Sequence, residues 1–158
     1  MLSNIQSNGN KDMKKKISKI LCPYDGTESS DFAFDNTINL AKTLDSQILV
    51  LTCIKDRATF GFFKLKSDKE NIKNQKKWAE KRISKLKEEC EEQELSMKSK
   101  IVKCDIISNE IVDYAKKENV DIITMSNSKN RTAAEKMYSE SMVDKVMEKT
   151  PCTFMLIK

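Results

Sequence analysis

KILCPYDGTESSDFAFDNTINLAKTL, Lys19 to Leu44, contains a complete change of hydrophobic period. Ile20, Leu21 and Cys22 are a continuous apolar run of strand length, predicting a strand over Lys19–Tyr24 that is closed by Pro23, since proline cannot donate to a sheet ladder. Asp25-Gly26-Thr27 has turn chemistry: the aspartate can fold back on the backbone, and glycine takes positive φ without steric cost. From Ser29 to Leu44 the apolar positions Phe34, Ile38, Ala41 and Leu44 recur every three or four residues, the spacing of one helix face. The stretch therefore reads strand, turn, helix.

The same unit repeats along the chain. QILVLTCI (Gln47–Ile54) is apolar at nearly every position, as expected of a parallel strand covered on both faces. A long charged connection follows, and then Trp78, Ala79, Ile83, Leu86 and Cys90 mark the inner stripe of an amphipathic helix with Lys and Glu outside. SKIVKCDI (Ser99–Ile106) is a third strand. Ser108 is placed to cap a helix running to Asn119, with Ile111, Val112, Tyr114 and Ala115 inside. VDIITM (Val120–Met125) is a fourth strand, Ser141–Lys149 a short helix, and CTFMLI (Cys152–Ile157) a fifth strand. Such alternation predicts an α/β fold: one domain over residues 15–158, a Rossmann-like parallel sheet of five strands with helices on both faces. Residues 1–14 are polar and aperiodic and read as a disordered tail.

Composition narrows the chemistry. The 158 residues suffice for one core without disulfides or metals. Five cysteines, Cys22, Cys53, Cys90, Cys104 and Cys152, are odd in number and set among apolar neighbours, so they read as reduced packed thiols. The chain has no histidine, which removes Ser-His-Asp and Cys-His nucleophiles and argues against a hydrolase. A net charge of +5 is spread over lysines that alternate with Asp and Glu, a solvated mixed surface and not a nucleic-acid footprint. No run reaches the roughly 18 to 20 apolar residues of a membrane span, and the start lacks a signal-peptide h-region, so a cytoplasmic location is expected.

In parallel sheets ligands gather at the carboxyl ends of the strands, near the point where strand order reverses. That places a candidate site at the turn after strand one and the loop after strand four. The second of these, MSNSKNRTAAEKMYSES (Met125–Ser141), sits where a phosphate loop would lie but contains no glycine. Arg57–Lys77 (RATFGFFKLKSDKENIKNQKK) gathers Phe60, Phe62, Phe63 and Leu65 before a basic run. It reads either as a connection tucked against the sheet edge or as a lid or partner surface.

ILCPYDG (Ile20–Gly26), VDIITM (Val120–Met125) and SMVDKVMEKTPCTFMLIK (Ser141–Lys158), in this order, resemble the universal stress protein family. The resemblance implies a strand order of 3-2-1-4-5, a homodimer formed through strand 152–157, and binding in place of catalysis. It also implies ATP or AMP as the candidate nucleotide, a ligand that some members have lost. An unidentified protein partner is expected in either case. Binders carry a glycine, two residues, a glycine, nine residues, then a glycine followed by Ser or Thr. Aligned backwards from Ser141, those places hold Asn127, Asn130 and Glu140, with one extra residue beside Ser126.

Carried over by position, the resemblance makes Pro23, Asp25, Cys53, Asn127, Ser128, Lys129, Asn130, Arg131, Ser141 and Met142 the nucleotide-contact candidates. Several have a plainer reading beside them. Asp25 can contact the adenine and ribose side or simply form an Asx turn, and Cys53 can meet adenine by its backbone or be core. Asn127 and Asn130 preserve access to positive φ, while Ser128, Lys129 and Arg131 supply a hydroxyl and cations to a phosphate or form an exposed basic loop. Ser141 is expected at a helix N-terminus, facing a phosphate or capping the helix toward Asp144, with Glu140 in the first turn repelling the anion. The sum of these features is a stress-response regulatory binding protein with weakened or lost ATP binding. The alternative is an ATP/AMP-regulated switch.

Overall fold

A computed structural model describes residues 15–56, 66–127 and 132–158. The expected tail at 1–14, the aromatic cluster Phe60, Phe62, Phe63 and Leu65, and the site candidates Ser128, Lys129, Asn130 and Arg131 lie outside the described residues. Five strands and four helices alternate: β1 (Lys19–Pro23), α1 (Glu28–Leu44), β2 (Gln47–Lys55), α2 (Lys66–Glu92), β3 (Met97–Cys104), α3 (Ile107–Glu118), β4 (Ile122–Ser126), α4 (Ala133–Lys149) and β5 (Thr153–Ile157). All neighbouring strands are parallel, in the order β3-β2-β1-β4-β5. The order reverses between β1 and β4, so their carboxyl ends open the crevice that such sheets use for ligands.

Successive side chains of a strand point to opposite faces, which divides the core in two. Ile20, Cys22, Ile48 and Val50 meet Phe34, Ile38 and Ala41 of α1 and Leu86 and Cys90 of α2. On the other face, Leu21, Leu49, Leu51 and Ile123 meet Ile111, Val112, Tyr114 and Ala115 of α3 and Val146 of α4. Phe34 and Ile123 are almost wholly buried, and truncating either to a small residue would cost about 3 kcal/mol or more. The amino end of the sheet is held by Asp121, whose carboxylate accepts from the Ser18 N–H (2.8 Å), the Ser18 hydroxyl (3.1 Å) and the Lys19 N–H (3.1 Å).

Four local expectations are corrected. Trp78 does not share the inner stripe: Ala79, Ile83, Leu86 and Cys90 are buried, whereas Trp78 is 49% exposed. It lies one residue from Ala79, about 100° around the helix and so at the margin of the stripe. The helix itself begins at Lys66, well inside the stretch expected to be a connection, because its charged residues are good helix formers with nothing to stop them. Third, Ser108 does not cap α3. Ile106 holds the N-cap position without a side-chain bond, and Ser108 is buried within the first turn.

The last correction bears on function. α4 starts at Ala133, not Ser141. No glycine interrupts Ala133-Ala-Glu-Lys-Met137, a run of strong helix formers, so the chain coils where a glycine loop would have stayed open. Ser141 and Glu140 are therefore helix-interior positions, and neither the phosphate-facing N-terminus nor the first-turn repulsion expected of them applies.

Candidate functional site

The turn after β1 is built by its own side chains. Asp25 Oδ1 accepts from the Thr27 N–H (3.1 Å) and the Thr27 hydroxyl (2.6 Å), an Asx turn, and Gly26 bends through it with φ +77°. Thr27 caps α1, its hydroxyl oxygen accepting from the Ser30 N–H. The plainer reading of Asp25 is thus realised, and it leaves Oδ2 of an exposed carboxylate available at the mouth of the crevice.

This turn is latched to α2. A Cβ on Gly26 would fall inside the Trp78 indole, 2.8 Å from Cζ3, so no other residue fits without moving the ring. The Arg82 guanidinium lies over that indole at 5.2 Å and donates to the Gly26 carbonyl (2.7 Å) and to Asp31 Oδ2 (3.3 Å). The Tyr24 hydroxyl donates to the other Asp31 oxygen. Burial, then the adjacent Asp31 carboxylate, raises the Tyr24 phenol, which keeps the donor protonated. Sequence reasoning missed this latch, although Trp78 and Arg82 are four residues apart on a helix and so share a face.

The end of β4 meets the turn directly. The buried Ser29 hydroxyl, in the first turn of α1, donates to the Ser126 carbonyl at 2.7 Å. Nothing in the sequence marked Ser29. Deeper in, Thr37 and Thr124 share a hydrogen bond of 2.7 Å between α1 and β4. At the carboxyl end of β4 the Ser126 hydroxyl and Asn127 Oδ1 are buried and have no hydrogen-bond partner among the described residues. A buried polar atom without a partner costs about 1–3 kcal/mol, so two on successive residues need an explanation.

The remaining candidates separate. Pro23 ends β1 at the crevice and is half-buried. Cys53 and Met142 are partly buried against the α3 and α4 face of the core, which supports the core reading of Cys53. Among the described residues no group of three or more His, Cys, Asp or Glu side chains could hold a metal ion, and no helix is long and apolar enough to cross a membrane.

The model of the universal stress protein family matches residues 16–158, the whole described fold. The chain belongs to this family. It is 26% identical over 159 residues to a curated universal stress protein of Methanocaldococcus jannaschii, an alignment spanning 100% of this chain and 89% of the relative. Among solved structures it is similar to the universal stress protein UspA of Lactobacillus plantarum, with TM-score 0.75, 21% identity and coverage of 91% and 99% of the two chains. It is also similar to a family protein of Arabidopsis thaliana solved with AMP bound, with TM-score 0.63, 15% identity and coverage of 89% and 91%. For this family member the strand order expected from the resemblance is the one observed, while the glycines of the binding loop are absent from the sequence.

Proposed function

We propose that this universal stress protein is a regulatory binding protein whose crevice accepts the nucleoside half of an adenine nucleotide and grips its phosphates poorly. The observation that carries the reading is the two buried oxygens at the end of β4, Ser126 Oγ and Asn127 Oδ1, which have no partner among the described residues. The hydroxyl can donate or accept and the amide oxygen can accept, which suits ribose hydroxyls or an adenine amine. The AMP-bound relative supports the ligand class. The phosphate side has lost what glycine provides, close approach of backbone N–H groups to an anion, and α4 occupies the sequence that would have spanned it. ATP should therefore gain little over AMP. A role in binding fits a chain without histidine or a metal cluster among its described residues better than catalysis does.

Calorimetric titration with AMP and with Mg-ATP tests this. Both should bind weakly, within about threefold of each other, and Asn127→Ala should weaken both by about tenfold, the loss of one hydrogen bond. ATP binding on the order of 100-fold tighter than AMP would show that the phosphates are gripped after all and overturn the proposal.

The sheet edges support assembly through β5. β3, the opposite edge, carries Lys98, Lys100 and Lys103, the charged blunting that keeps an edge from pairing. β5 instead offers Phe154, Met155, Leu156 and Ile157, and Met155 is exposed. A homodimer pairing β5 with its copy would cover this edge.

A further inference from the structure

We infer that Trp78 and Arg82 are positioning residues for nucleoside binding: from α2 they hold the Asp25-Gly26-Thr27 turn in the geometry that the ligand meets. The inference rests on the proposed function, because holding this turn matters to binding only if the crevice accepts a nucleoside. The turn has little restraint of its own. Asp25 Oδ1 and Thr27 shape it locally, but both residues are exposed. The glycine between them has wider conformational freedom than any other residue.

The ends of the turn are fixed by the sheet. On one side the Tyr24 N–H donates to the Leu51 carbonyl (2.9 Å) and the Thr52 hydroxyl donates to the Tyr24 carbonyl (2.8 Å), which ties the entry to β2. On the other side the Ser29 hydroxyl ties the exit to the end of β4. The glycine in the middle is reached from α2. Arg82 donates to its carbonyl, and the outer edge of the Trp78 six-membered ring lies so close to its Cα that an added Cβ would be 2.8 Å from Cζ3. The peptide is thus held through its oxygen and backed by a ring, which opposes both rotation and outward movement.

Arg82 is itself aimed at the turn. Its second bond goes to Asp31, whose other oxygen accepts from the Tyr24 hydroxyl, so residues on both sides of the glycine orient the guanidinium. Its Nε is buried without a partner among the described residues, so the group reaches Gly26 and Asp31 while leaving one donor unpaired. A planar fork can lie over the indole and donate along its edge at the same time. A lysine ammonium is a point charge and cannot do both.

The test is calorimetric titration of the full chain with adenosine and with AMP, for wild type, Trp78→Ala, Arg82→Gln and Arg82→Lys, each variant first shown to be folded by urea unfolding. A turn that keeps its binding geometry for about one tenth of the time weakens any ligand about tenfold, so each variant should lose about tenfold for both ligands. Adenosine carries no phosphate and Arg82→Lys keeps the charge, so these two arms separate positioning from simple attraction of an anion. Wild-type affinity in Arg82→Lys, or a loss for AMP that adenosine does not share, overturns the inference. Should the variants not fold, the wild type decides through Trp78, the single tryptophan of the chain. A ligand favoured by the latch must favour the latch in turn, so saturating adenosine should lower acrylamide quenching of the indole, and unchanged quenching overturns the inference. Binding by wild type that every variant retains overturns the latch alone. A wild type that binds neither ligand overturns the proposed function, and the role given to the latch with it.

Discussion

Asp121→Asn is the substitution whose cost the structure lets one work out. The Asp121 side chain is 7% exposed and sits at the threshold of β4. Burial alone would disfavour its charge, but the Lys15 ammonium at 2.8 Å, the Ser18 and Lys19 N–H groups and the Ser18 hydroxyl outweigh that and hold it at about 2, against an ordinary value of 3.8. At about 1.4 kcal/mol for each tenfold, the difference corresponds to about 2.5 kcal/mol of folding stability. Lys15 is 82% exposed, so its share is small and screened by salt, and the backbone N–H groups carry most of the effect. Asparagine keeps one accepting oxygen but loses the charge, so the expected loss is about 2 kcal/mol at neutral pH. The folded-state value is depressed. The stabilisation is therefore complete above the unfolded value near 4 and disappears as pH falls through about 2. Urea unfolding of wild type and variant across this range reads the difference directly. Loss of less than about 0.5 kcal/mol at neutral pH, or a loss that does not shrink on acidification, would refute the clamp.

Gly26→Ala combines a positive φ with a clash on the Trp78 ring and should lower stability by about 2 kcal/mol. In the Trp78→Ala background the clash is gone, so the same change should cost only about 1 kcal/mol, measurable by a double-mutant cycle in urea. Met155→Pro, which deletes a β5 N–H and strains the strand, should convert a dimer to monomer in size-exclusion light scattering, and a wild type already monomeric at micromolar concentration would remove the assembly reading. Cys22 and Cys90 are fully buried, with burial raising Cys22 to about 12 and Cys90 to about 11. A thiol reagent should label them slowly in the native protein and fast in denaturant, and rapid native labelling would contradict the packing.

The order of elements was legible from Lys19–Leu44 outward because hydrophobic period is a local property: strands buried on both faces must be apolar throughout, and helices must be apolar on one stripe. The inner faces of α1 and α3 could be named residue by residue for that reason. Strand order was not in the periodicity and came from the resemblance in ILCPYDG, VDIITM and the final eighteen residues. What only the tertiary structure decided were contacts between segments distant in sequence and the extents of the helices. Ser29 reaching the Ser126 carbonyl and Arg82 closing on Gly26 and Asp31 each depend on crossovers that bring separate turns to one end of the sheet. The start of α4 was misjudged by weighting a family loop over helix propensity; with the glycines gone, Ala133 to Met137 had no reason to stay open, and the helix took them.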